Sequence, residues 1–139
     1  MSLIHATSIS ISQKGVLLRG PSGIGKSDLA FRLISNGATL IADDYTEVIH
    51  NEGELILKTP HNIKGKIELR GIGIVELPFI ENISLKLIID LVDQINVPRQ
   101  TDVHITKFEN ILVPYYQLFS FEPSTPRKIE FILKEIEII

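Results

Sequence analysis

The sequence predicts an α/β domain: a P-loop (Walker A) βαβ unit in a mixed β-sheet, with a C-terminal helix closing the chain. Three observations predict it. Gly20-Pro21-Ser22-Gly23-Ile24-Gly25-Lys26-Ser27 matches G-x-x-x-x-G-K-[ST] in full. Short apolar runs, Val16-Leu17-Leu18 before it and Thr39-Leu40-Ile41-Ala42 after it, have the length and composition of interior strands. After Ser124-Thr125-Pro126, the residues Ile129, Ile132, Leu133 and Ile136 recur at i, i+3, i+4, i+7, the stripe of an amphipathic helix.

Taken in order, Thr7–Ser12 alternates hydroxyl side chains with isoleucine, the period of a strand with one covered face, and Gln13-Lys14-Gly15 supplies a turn. Val16–Leu18 then reads as a strand buried on both faces. From Lys26 to about Ser35, the residues Leu29, Ala30, Leu33 and Ile34 mark one helical stripe, and Asn36-Gly37 supplies a C-cap. A helix of about ten residues advances about 15 Å and a strand of about five climbs back about 16 Å, which returns Asp43-Asp44 to the glycine loop. Right-handed crossover makes the two strands parallel. Glu47–His50 and Glu54–Thr59 flank Asn51-Glu52-Gly53 as a hairpin, and Lys66–Arg70 and Leu85–Asp90 read as further strands. Leu91–Asn110 is poorly periodic and reads as containing a loop.

Composition bounds the function. A chain of 139 residues supports one core, so residues 1–139 are read as a single domain. With 44% hydrophobic and 22% charged residues it is expected to fold. A net charge of −3 offers no broad attraction to nucleic acid or to an anionic membrane. Cysteine is absent, which excludes disulfides and thiolate metal sites, and His50, His61 and His104 lack the spacing of a zinc site. No apolar stretch reaches the roughly 20 residues of a membrane span, and no basic segment leads into an apolar one at the start. A cytoplasmic protein is expected.

The glycine loop has a chemical reason for its spacing. Glycines let successive backbone N–H groups turn inward around phosphate oxygens, and the following helix adds its positive end. Lys26 would reach the β- and γ-phosphates, and Ser27 would offer its hydroxyl to Mg²⁺. Beside them, one carboxylate of Asp43-Asp44 would organise the metal and the other would accept the proton of an attacking hydroxyl. Arg70 is placed to pair with Asp43, Asp44 or Glu68, since a guanidinium binds a carboxylate through two hydrogen bonds.

On these residues the chain resembles the catalytic domain of HPr kinase/phosphorylase, which phosphorylates and dephosphorylates a serine of the phosphocarrier HPr. The resemblance rests on His5, on GPSGIGKS at Gly20–Ser27, on Gly37-Ala38-Thr39-Leu40-Ile41-Ala42-Asp43-Asp44, and on Ile67-Glu68-Leu69-Arg70-Gly71-Ile72-Gly73-Ile74. It is clear over Leu3–Val75 and weaker from Leu85, where Ile89-Asp90-Leu91 and Leu112-Val113-Pro114 still follow the family's course. It covers neither the N-terminal domain of longer members nor, in Ser120-Phe121-Glu122-Pro123-Ser124, the family's later signature.

The resemblance implies roles. Asp44 matches the proton acceptor of the kinase direction, which becomes the donor when phosphate attacks phosphoserine and releases pyrophosphate. His5 and Arg99 match a catalytic histidine and an active-site arginine, Ser27 and Glu68 match magnesium-holding positions, and Lys26 is the phosphate-binding lysine. ATP, Mg²⁺, an HPr-like partner and a homo-oligomer, a hexamer by resemblance, are implied with them. A P-loop kinase of small molecules and a non-catalytic nucleotide sensor are the alternative readings.

Overall fold

A computed structural model describes residues 1–99 and 104–138. After β1 (Ser2–Ile4), the chain runs through β2 (Ala6–Ile11) and back through β3 (Lys14–Arg19). The connecting turn is Ser12-Gln13, with φ of 50° and 67°, one residue earlier than the sequence suggested; Lys14 and Gly15 already belong to β3. Then follow α1 (Lys26–Ser35), β4 (Thr39–Ala42), β5 (Thr46–Asn51), β6 (Glu54–Lys58), β7 (Lys66–Leu69) and β8 (Gly73–Glu76). The chain ends with β9 (Ile83–Leu91), β10 (His104–Phe108), β11 (Ile111–Leu118) and α2 (Thr125–Ile138).

The main sheet has the order β1-β5-β6-β9-β3-β2-β4, and β11 also pairs with β9 and carries β10. β3, β9 and β11 are parallel. β2 is antiparallel to both β3 and β4, so β4 runs parallel to β3 with β2 between them. The carboxyl ends of β3, β4, β9 and β11 therefore open on one edge, the place where α/β sheets hold ligands. The β7–β8 hairpin forms a separate two-stranded sheet.

Side-chain alternation builds two cores. Val16 and Leu18 of β3 pack with Leu29 and Leu33 of α1 and Ile129 and Leu133 of α2. Leu17, pointing the other way, packs with Ile41, Val48, Leu57 and Ile88 where the sheet curls over itself. Gly15 permits that curl: a Cβ there would stand 2.7 Å from the Ser84 carbonyl oxygen and 2.8 Å from Leu57. The helical stripe of α2 meets the first core through Ile129, Ile132 and Leu133, as its spacing required.

Two departures from the sequence reading have physical causes. β2 is covered on both faces, Ile9 lying in the core beneath α1 and Ala6 in the second core, and the hydroxyls of Thr7 and Ser8 are satisfied internally. Ser8 donates to Thr46 Oγ1 at 2.8 Å, and Thr46 donates to the Ala6 carbonyl at 2.9 Å. The segment read as containing a loop also holds a strand that its poor periodicity did not announce, β10, paired with β11 through a turn at Glu109-Asn110 with φ of 49° and 67°. That turn has no glycine to announce it. Among the described residues no helix is long and apolar enough to cross a membrane.

Leu17 and Leu3 provide a contrast. Leu17→Ala empties a fully buried position and should cost about 2–5 kcal/mol, whereas Leu3→Ala, at a side chain 58% exposed, should change stability by less than about 0.5 kcal/mol. Urea denaturation followed by circular dichroism measures both, and equal losses would contradict the second core.

Candidate functional site

The glycine loop leaves the middle of the parallel edge. At its start, Arg19 grips Asp90 at the end of β9 through two hydrogen bonds of 2.7 and 2.9 Å, locking two neighbouring strand ends together. Gly25, at φ 102°, is pressed against the segment that follows β11: a Cβ there would come 2.5 Å from Ser120 Oγ and 2.7 Å from the tip of the Phe121 ring. Ser120 Oγ donates to the Gly25 carbonyl at 2.8 Å, and Arg32 of α1 donates to the Ser120 carbonyl at 2.5 Å. The loop is thus held from beneath by a fully buried serine.

Lys26 opens α1 and is buried. Its ammonium donates to the carbonyls of Gly20 and Pro21, at 2.7 and 3.0 Å, and so spans the loop from within. Burial lowers its pKa from the ordinary 10.5, against the opposing pull of the Asp44 and Asp43 carboxylates.

The two aspartates at the end of β4 face opposite environments. Asp43 is buried, and three donors satisfy it: Ser27 Oγ at 2.6 Å and Thr7 Oγ1 at 3.1 Å on Oδ1, and the Glu68 N–H at 3.1 Å on Oδ2. Asp44 sits at φ 70°, in the left-handed region that aspartate tolerates better than most residues. Its N–H donates to Thr7 Oγ1 at 3.2 Å, and the next N–H, of Tyr45, returns to the Asp43 carbonyl at 2.8 Å. The reversal leaves the Asp44 side chain 62% exposed, where Oδ1 accepts a 3.0 Å hydrogen bond from His5 Nε2. The His5 and Tyr45 rings lie 5.1 Å apart.

The structure therefore brings together His5, Lys26, Ser27, Asp43 and Asp44, with Glu68 joined through its backbone while its side chain is exposed. Pro21, Ser22 and Gly23 are exposed along the loop, and Gly20, Ile24 and Gly25 are half-buried. Arg99 is exposed beyond β9 and is not among the converging side chains. Arg70 is exposed and forms no ion pair among the described residues; the Asp43 oxygens are taken by Thr7, Ser27 and Glu68 instead. Sequence reasoning missed Thr7, Ser120 and Arg32. Thr7 carried a weak signal, a hydroxyl in register with Ile9 and Ile11, but its meaning depends on β2 being interior. Ser120 and Arg32 gave none, since their partners lie 95 and 88 residues away.

Among the described residues no group of three or more His, Asp or Glu side chains gathers as a metal site. The oxygens at hand, Ser27 Oγ beside the Asp43 carboxylate, suit a cation that takes few protein ligands and keeps its waters and phosphates, which is the habit of Mg²⁺. A groove of about 420 Å³ lined by Leu118, Ser124, Arg127, Lys128, Phe131 and Ile132 lies over α2 and includes no residue of the glycine loop or the aspartate pair.

Comparison with known proteins agrees with this architecture. The family model of the HPr Serine kinase C-terminal domain matches residues 1–111. The HPr kinase/phosphorylase of Clostridium tetani is 38% identical over 81 residues, 58% of this chain and 27% of that protein. That of Clostridium acetobutylicum is 40% identical over 81 residues, again 58% and 27%. That of Lactobacillus delbrueckii subsp. bulgaricus is 39% identical over 77 residues, 55% and 24%. The aligned part of the chain thus spans about a quarter of the length of these relatives. The structure of the Hpr(Ser) kinase/phosphatase from Coxiella burnetii matches 99% of this chain and 92% of its own, with a TM-score of 0.86 and 28% identity. Alike in sequence over residues 1–111 and in fold over nearly its whole length, the chain belongs to the family of the HPr Serine kinase C-terminal domain.

Proposed function

We propose that the chain transfers a phosphoryl group from ATP, with Mg²⁺, to a seryl side chain of an HPr-like phosphocarrier protein. The observation that carries this reading is the division of labour at Asp43-Asp44: one carboxylate buried against Ser27, the other exposed against His5, with the Lys26 ammonium close to both. Transfer of this kind needs a held donor and a base at the acceptor, and these are separate tasks.

In this reading the loop amides and Lys26 take the phosphate oxygens, Lys26 exchanging its bonds to the Gly20 and Pro21 carbonyls for them. Ser27, Asp43 and Glu68 would hold Mg²⁺, which when bound would supply positive charge against the phosphates. Asp44 accepts the proton of the attacking serine, and His5 orients the carboxylate and shares the charge. In the reverse direction the same pair returns the proton as phosphate attacks phosphoserine and pyrophosphate leaves. The exposure of Asp44 and His5, at 62% and 41%, suits an acceptor borne on another protein better than a small molecule enclosed in a pocket. A non-catalytic sensor would have no use for the exposed Asp44–His5 pair.

Lys26→Met should abolish turnover while the protein stays folded, since it removes the charge directed at phosphate and leaves the stem. It should also alter the pH dependence of stability. The folded-state pKa of Lys26 is lowered, so between that value and 10.5 the unfolded chain binds more protons there, and wild-type stability rises with pH relative to the variant. Thermal unfolding across that range checks the sign.

Asp44→Asn should slow transfer by about 10²–10⁴ with nucleotide affinity kept within a few-fold, because an amide accepts no proton. Single-turnover kinetics beside nucleotide titration separate the two; an unchanged rate with altered Mg²⁺ dependence would move the base to Asp43. With labelled ATP and Mg²⁺, one serine of an HPr-like protein should acquire an acid-stable label that Ser→Ala removes. Rapid phosphorylation of a metabolite in its place would overturn the acceptor class and leave the loop chemistry standing.

A further inference from the structure

We propose that Phe121 is the platform on which the base of the bound nucleotide stacks. The proposal rests on the phosphoryl-transfer reading and adds to it a ligand group, the nucleobase, together with the side chain that receives it.

The strand order gives the first reason. The loop leaves β3 in the middle of the open edge. Asp44 and His5 stand on one flank, at the carboxyl end of β4 and the start of β2, and residues 119–121 stand on the other, at the carboxyl end of β11. From β4 through β2, β3 and β9 to β11 is four strand spacings, about 19 Å. A phosphate chain seated on the loop with its terminal phosphoryl group toward Lys26 and Asp44 directs its nucleoside end away from them, toward β11.

The second reason is contact. The tip of the Phe121 ring lies 2.7 Å from where a Cβ of Gly25 would be, so the ring abuts the loop's last glycine, directly before Lys26. It is 50% exposed. A half-exposed phenylalanine on ordinary surface needs no explanation, but this one borders the phosphate cradle and has a π-face for a base to lie on.

The third reason is preorganisation. The segment leading into Phe121 is pinned: Ser120 donates to the Gly25 carbonyl at 2.8 Å, Arg32 donates to the Ser120 carbonyl at 2.5 Å, and Thr125 Oγ1 donates to the Phe119 carbonyl at 2.5 Å. The Phe119 ring meets that of Phe121 at 75°, with centroids 5.8 Å apart, and fixes its orientation. A platform held in this way loses little side-chain freedom when a base settles on it. Phe131, at 63% exposure, lacks this setting: it lies on α2, on the groove that excludes the loop.

The experiment compares binding of MgATP and of magnesium tripolyphosphate, which carries the phosphates and no base, to the wild type, Phe121→Ala and Phe121→Tyr by calorimetry. Phe121→Ala should weaken ATP by about 5- to 100-fold and tripolyphosphate by less than about twofold, and Phe121→Tyr should keep wild-type affinity for both. Retained tripolyphosphate binding by Phe121→Ala also reports that the loop is intact. Equal losses for the two ligands, or none for ATP, would overturn the proposal, and unchanged ATP affinity with a fall in labelling of the HPr-like protein would assign Phe121 to the acceptor. If the wild type bound neither ligand, the phosphoryl-transfer reading would fail first and take this proposal with it.

Discussion

Asp43 is the carboxylate on which the rest of the site depends. It is buried at the end of β4 and takes hydrogen bonds from Thr7 on β2, Ser27 on α1 and the backbone of Glu68 on β7, so elements distant in the chain are fixed relative to one anionic group. A buried carboxylate is tolerable only when so satisfied, and removal of any one of the three donors leaves it a hydrogen bond short in a place water does not reach freely. The charge of Lys26 is supported by it as well, since Asp44 and Asp43 together oppose the loss of charge that burial favours at that ammonium.

The division between neighbouring aspartates needs a backbone device, because two consecutive residues on a regular strand alternate faces without reversing the chain. The device is the positive φ of Asp44, which costs about 1–3 kcal/mol for a residue with a Cβ and is held by the Thr7 hydroxyl and the Tyr45 N–H. Thr7 therefore acts on both aspartates at once, as donor to the Asp43 side chain and as acceptor for the Asp44 amide. A methyl-bearing hydroxyl on an interior strand links the inward carboxylate to the outward one.

Much of this was legible in the sequence, for local reasons. The span of α1, the return of β4 to Asp43-Asp44 and the stripe of α2 follow from spacing alone, and they appear as expected at Lys26–Ser35, Thr39–Ala42 and Thr125–Ile138. What was not legible depends on neighbours remote in the chain. The hydroxyls of β2 read as a solvated face because their partners, Thr46 and Asp43, lie nearly 40 residues on. The β10–β11 turn escaped because Glu109-Asn110 adopts a conformation that sequence usually marks with glycine. Arg70 read as an ion-pair partner because its charge was visible and the competing donors to Asp43 were not.

The tether from Ser120 to Gly25 joins residues 95 apart, and the contact of His5 with Asp44 spans 39. A chain made from its amino terminus thus completes the glycine loop's sequence long before the segment that braces it has emerged. Until β11 docks on β9 and brings Ser120 under the loop, nothing supplies the hydrogen bond that holds Gly25 in place. Closure over such a distance carries a larger entropic cost than a local turn, so the final geometry of the glycine loop depends on the fold around it and not on the loop's own sequence alone. The brace of the glycine loop is thus encoded nearly a hundred residues beyond the loop itself, and the two meet only when β11 takes its place beside β9.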